Sequence, residues 1–366
     1  MRRPDHRPWA FWLLALLLAP ALLALAGRYP NDIHGEAGPP GGPGFDASRL
    51  LDEDYYRELD ATATVRLPVH GAGLWAKAMV DYELFGETGS TEVIAGEDGW
   101  LFSASSLAVP CAELAELSVP ATPGVSRQQL RVVVVAPKAA IHPEQLTSVR
   151  PCEVEARSAW RASMAEDRRY LDVNEALDRA RTRDPAVELF YRRDIHWSPA
   201  GRWIAAGRIV NGLQSGLWDR TVGVRVDGEP HTEELLRTIG IQRTVTLADR
   251  EVHRSVEPVV VTDLPYGATD LRGVYETTMS GDDPVVPGTT LIVGDSQMDR
   301  LVPYLAPYFE RLVFVQLGYV QLGYDTSPHR PDRVLVESVE SGVDRLTPEL
   351  MRHLAASIVP EADDGT

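Results

Sequence analysis

The stretch Thr289-Thr290-Leu291-Ile292-Val293-Gly294-Asp295-Ser296-Gln297-Met298 decides the fold. Its aliphatic run has no polar alternation, which predicts a strand buried on both faces. Gly294 permits a tight turn, and residues 297–309 read as a helix. Strand, turn and helix in that order put Ser296 at the carboxyl edge of a sheet, where open α/β sheets bind ligands. A helix start also offers backbone N–H groups to a developing oxyanion. On Gly294-Asp295-Ser296 alone, however, a simple helix cap is the better reading.

The same grammar continues outward. Arg131–Ala136 is a β-branched run closed by Pro137, and Leu312–Val315 and Arg333–Val336 are further candidate strands. Leu189–Tyr191 reads as a short strand. Residues 156–166, 174–182, 199–213 and 346–358 read as helices, the third with Ser198 as N-cap and Pro199 in its first turn. Alternating strands and helices predict a mainly parallel sheet covered on both faces, an α/β/α sandwich. Val93–Phe102 reads as strand–turn–strand around Gly96-Glu97-Asp98-Gly99, and residues 49–86 have helical spacing. Residues 219–285 are β-rich without clear order. The tandem Val315-Gln-Leu-Gly-Tyr319 and Val320-Gln-Leu-Gly-Tyr324 is too short for a solenoid.

Asp194-Ile195-His196-Trp197 gives Ser296 a partner. In an extended segment residues two apart share a side, so Asp194 could hold the His196 Nδ1–H and leave Nε2 free to take a serine proton. A serine hydroxyl is a poor nucleophile without such a base. The alternative is a surface histidine at a strand end beside a core tryptophan.

Tyr191-Arg-Arg-Asp194-Ile-His196-Trp197-Ser-Pro-Ala-Gly201 resembles the aspartate–histidine–tryptophan block of the SGNH-hydrolase-like domain in alginate O-acetyltransferases of the AlgX/AlgJ type. Four further stretches agree, in the same order: Val93–Phe102, Val132–Leu146, Gly294-Asp295-Ser296 and Arg330–Glu340. The resemblance implies an SGNH-like three-layer fold with Ser296 as nucleophile, His196 as base, Asp194 as its orienting partner and the Ser296 amide as oxyanion donor. It implies O-acetylation of an exported polysaccharide, with a multipass membrane O-acyltransferase as acyl donor. The chain departs from the family where Gln297-Met298 follow the serine in place of an aromatic. Pro137-Lys138 lacks an intervening residue, and His142 stands where tyrosine is common.

The N-terminus points outside the cytoplasm. Arg2, Arg3 and Arg7 precede an uncharged apolar run, Trp9–Ala26. About 18 residues at ~1.5 Å each reach ~27 Å, close to bilayer hydrocarbon thickness. The basic flank favours a cytoplasmic N-terminus with the remainder exported. A single-pass anchor fits the length, and a cleaved signal peptide fits Ala24-Leu25-Ala26, which would leave the protein secreted or periplasmic. The expected organisation is therefore a signal anchor or signal peptide at 1–28, a Gly/Pro-rich linker at 29–48 and an SGNH-like acyltransferase domain at 49–366. In an oxidising compartment Cys111 and Cys152 suggest one disulfide, which the loop-entropy model values at about 3–4.5 kcal/mol; two unpaired core thiols are the alternative.

The formal net charge of -17 argues against nucleic acid as a partner, because phosphate recognition needs clustered Lys and Arg. His142, His231, His253 and His329 have no metal-ligand spacing, so neither metal nor cofactor is expected. Lys138 either contacts an anionic sugar or serves structure, and the structural role is preferred. Three functions compete: acyl transfer to a sugar hydroxyl, ester hydrolysis by the same triad, and a non-catalytic glycan-binding scaffold.

Overall fold

A computed structural model describes residues 70–107, 118–146, 151–220, 222–254, 256–263 and 274–359. The apolar run Trp9–Ala26, the linker and Cys111 lie outside the described residues, as does the side chain of Cys152. No helix among the described residues is long and apolar enough to cross a membrane.

The chain forms two units, Met1–Val93 with Thr232–Arg243, and Ile94–His231 with Thr244–Thr366. In the first, helix α1 (His70–Phe85) exposes Trp75, Leu84 and Phe85. Arg243 pairs with Glu83 at 2.7 Å within this unit.

The second unit carries the sheet. Its elements in chain order are β1 (Val93–Ala95), β2 (Leu101–Ser103), β3 (Leu130–Val135), α2 (Lys138–Ile141), α3 (Pro151–Glu166), α4 (Asn174–Arg183) and α5 (Pro199–Leu213). There follow β4 (Val222–Asp227), β5 (Ala248–His253), β6 (Val256–Asp263), β7 (Val274–Gly281), β8 (Val286–Gly294), α6 (Ser296–Asp299), α7 (Val302–Leu305), β9 (Phe309–Gln316), α8 (Leu317–Gln321), β10 (Arg333–Val339) and α9 (Pro348–Ser357). Six strands make one sheet in the order β3-β10-β8-β9-β7-β6. The first four run parallel, with Val339 against Val135, Val293 against Val336 and Gly294 against Gln316. β7 and β6 add antiparallel at the other edge, so the sheet is mixed.

Period-2 alternation sorts the strand side chains into two cores. Val133, Val135, Ile292, Phe314 and Leu335 share one core with Leu177, Ile209 and Val210 from α4 and α5. Val132, Val134, Leu291, Val293, Val313 and Val336 share the other with Trp160 of α3 and Met351 and Leu354 of α9. This is why the strands read as unbroken apolar runs: each face meets a helical layer.

Residues 297–309 are not one helix. Pro303 and Pro307 each lack an amide hydrogen, and the segment breaks into α6, α7 and a 3-10 turn at Ala306–Tyr308. The tandem repeat likewise splits between local structures. Its first copy ends β9 and opens α8, and its second finishes α8 and turns at Gly323, where φ is 95°. Ser198 caps α5 as expected, accepting from the Gly201 amide at 3.2 Å.

Candidate active site

β8 ends at Gly294, and the turn above it is shaped by carboxylates. Asp295 is the N-cap of α6: its Oδ1 accepts from the Gln297 amide at 2.8 Å and its Oδ2 from the Val339 amide at 3.2 Å. Glu337, on the neighbouring strand β10 and fully buried, accepts the Asp295 N–H at 2.9 Å. Gly294 is required here. A Cβ would lie 2.6 Å from that of Met298 and 2.8 Å from Glu337 Oε2. Burial pushes the Glu337 carboxyl well above the usual carboxylate range, and the adjacent Asp295 charge adds to this.

The aspartate–histidine segment is not extended. Phe190 and Trp197 form an isolated bridge, and the Tyr191 amide bonds to the His196 carbonyl at 3.2 Å. The residues between them form a closed loop. Inside it the Asp194 Oδ1 accepts the His196 backbone N–H at 2.8 Å, an Asx-type turn. That turn, rather than strand alternation, puts the two side chains together. The His196 Nδ1 then lies 2.6 Å from Asp194 Oδ1, and its Nε2 lies 3.0 Å from Ser296 Oγ. Asp194 and His196 are buried, and the three residues form one hydrogen-bonded line.

Three sequence blocks converge on this loop. Lys138, buried at the start of α2, donates to the carbonyls of Tyr191, Arg192 and Asp194 at 2.9, 2.6 and 3.1 Å. Its ammonium sits 5.0 Å from the Trp100 ring centre and 5.1 Å from that of Phe102, both on the hairpin β1–β2. The Leu101 amide bonds to the Arg192 carbonyl at 2.9 Å. Lys138 thus serves the loop's backbone and is only 5% exposed.

Gln297 does the corresponding work from the Ser296 side. Its Nε2 donates to the Ile195 carbonyl at 2.8 Å and its Oε1 accepts the Trp197 amide at 3.2 Å. The side chain therefore brackets His196 from both sides along the chain. The departure from an aromatic at this position was the one signal of this role in the sequence.

Residues 93–262 match the ALGX family, the SGNH hydrolase-like domain of the acetyltransferase AlgX. The chain resembles the AlgX/AlgJ-type SGNH-hydrolase-like proteins. The match contains Asp194 and His196 and stops short of Ser296. The probable alginate O-acetylase AlgJ of Pseudomonas aeruginosa is 29% identical over 180 residues, 46% of this chain and 45% of that protein. Its Pseudomonas fluorescens counterpart is 30% identical over 181 residues, 45% of each. The chain thus spans less than half the length of the curated relatives it matches. Among solved structures, Bacillus cereus PatB1 superposes with a TM-score of 0.49 at 13% identity, covering 70% of this chain and 98% of that one. The O-acetyltransferase domain of Pseudomonas putida AlgJ gives 0.45 at 18%, covering 72% and 99%.

A cavity of about 570 Å³ is lined by Arg202, whose Nη2 lies 3.4 Å from the Tyr191 hydroxyl, and by Asp249, Arg250, Glu251 and Tyr304. Arg202 stacks 5.3 Å over Tyr304 and lies 3.6 Å from Asp249. The lining carries charges of both signs.

Proposed function

We infer that the protein is a serine O-acyltransferase that passes an acyl group, acetyl by the family resemblance, to a hydroxyl of an exported polysaccharide. The observation that carries this reading is the His196 Nε2 to Ser296 Oγ contact of 3.0 Å, with Asp194 2.6 Å behind the ring. In the reaction, His196 Nε2 takes the Ser296 proton as Oγ attacks the donor's acyl carbon. The imidazolium is balanced by the Asp194 carboxylate. The leaving group departs with that proton, and the acyl group remains on Ser296. His196 then takes the proton of an acceptor hydroxyl, which attacks the acyl-serine, and the proton returns to Ser296. The oxyanion donor in this scheme is the Ser296 amide. As the first residue of α6 it has no intrahelical acceptor, whereas the Gln297 amide is already bonded to Asp295.

The acceptor is proposed from the resemblance, since the named relatives are probable alginate O-acetylases; alginate itself belongs to those proteins' names. A membrane acyl-donor partner, and an anchor or cleaved signal at residues 1–28, remain part of the same proposal. The test is turnover of a chromogenic acetyl ester by the full chain, with and without an oligosaccharide acceptor. Ser296→Ala should abolish release, and Asp194→Asn should lower turnover by about 10⁴-fold if the tautomer logic of the triad holds. Acetylated sugar in the products selects transfer, and acetate alone selects hydrolysis. Ester turnover undiminished in Ser296→Ala would sink the serine mechanism.

A further inference from the structure

A second histidine reaches the triad aspartate. His231 Nε2 lies 2.8 Å from Asp194 Oδ2, the oxygen on the far side of the carboxylate from His196. The His231 Nδ1 lies 3.2 Å from Nη1 of Arg300. An arginine only donates, so Nδ1 is the acceptor and the ring hydrogen sits on Nε2, aimed at Asp194. Tyr191 stacks on the same ring, with centres 4.0 Å apart and planes 14° from parallel. Both nitrogens and the ring face are therefore engaged, and the side chain is only 12% exposed.

We propose that His231 is a positioning residue of the triad, fixing the plane of the Asp194 carboxylate so that Oδ1 meets His196. This deepens the acyltransferase reading and rests on it. The chemical argument is one of lone pairs. Oδ1 already takes the His196 amide and Nδ1. The His231 N–H on Oδ2 adds a hydrogen bond on the other side of the carboxylate, and a carboxylate held from both sides rotates less freely about its terminal bond. Arg300 makes the arrangement a closed circuit. It follows α6 directly, and its amide bonds back to the Ser296 carbonyl at 3.4 Å. From Ser296 the links run through α6 to Arg300, then His231, Asp194, His196 and back to the Ser296 hydroxyl. The nucleophile and the orienting acid are tied together at both ends. A misplacement of about 1 Å in such a set can cost about 100-fold in rate.

The test uses the full chain and two readouts, ester turnover and the rate at which phenylmethylsulfonyl fluoride modifies Ser296, followed by intact mass. The reagent needs an activated serine but no sugar. His231→Ala should lower kcat and the sulfonylation rate together, by about 10- to 100-fold, with KM within about twofold. His231→Gln, which keeps a donor of similar reach, should recover most of the loss, and it keeps the question answerable if the alanine variant does not fold. A sulfonylation rate in both variants within twofold of wild type overturns the proposal, as does a raised KM at unchanged kcat, which would make His231 a substrate contact. Wild-type protein that is not modified at Ser296 would fail the serine reading itself and is a separate result.

Discussion

Glu337 illustrates how burial changes what a side chain is. It stands near the carboxyl end of β10 beside Asp295, with Oε2 on the Asp295 amide and Oε1 without a partner among the described residues. A second full negative charge beside Asp295 would be costly, and the carboxyl is pushed up accordingly, first by burial. Glutamine has the same shape without the charge. Glu337→Gln should therefore keep stability within about 1 kcal/mol, whereas Glu337→Leu, which abandons the Asp295 N–H, should cost about 1–3 kcal/mol. Urea melts of both variants check this. Equal losses in the two would mean that a charged carboxylate is needed there.

At the scale of elements, the site depends on how a loop is closed and then gripped. The Ser198 amide bonds to the Leu189 carbonyl at 3.0 Å, and α5 starts so close to it that a Cβ on Gly201 would fall 2.0 Å from that carbonyl. The helix start thus pins one end of the 190–197 loop. Lys138 grips its outer carbonyls and Gln297 its inner backbone. Gln297→Leu fills a similar volume but leaves a part-buried carbonyl and a buried amide without this partner. It should cost about 1–3 kcal/mol and lower ester turnover by about tenfold, because His196 sits between the two lost contacts. Denaturant melts and turnover on the same preparation test it; unchanged kcat with lost stability would assign Gln297 to folding alone.

The whole molecule's stability carries a pH signature of its own. His142 is buried against Trp100, with ring centres 4.6 Å apart. Burial first, then the Arg181 guanidinium, hold it down at about 4, from an ordinary 6.5. The folded chain thus keeps it neutral while the unfolded chain takes up a proton below about 6.5. Stability present at neutral pH is lost as pH falls from about 6.5 towards about 4, and the loss then levels off, at most roughly 3 kcal/mol. His142→Phe should flatten the urea midpoint between pH 7 and pH 4.5. An equally steep profile in the variant would place the titrating group elsewhere.

The amino-acid sequence alone determined the strands β3, β8, β9 and β10, because a run buried on two faces needs no tertiary knowledge to recognise. It also put forward Asp194, His196 and Ser296 as candidates, and the fold brings the three side chains together. The cap of α5 and the β1–β2 hairpin were equally legible, being local. What it could not supply was contact at a distance. Proline spacing broke the 297–309 helix, and an Asx turn replaced the extended segment at Asp194. The antiparallel edge of β7 and β6 depends on which strand finds which neighbour. His231, about 35 positions past His196, looked like one scattered histidine among several. Only the folded chain sets its ring on the far oxygen of Asp194, since a hydrogen bond between distant residues is decided by the path of the backbone between them and not by the spacing of the letters.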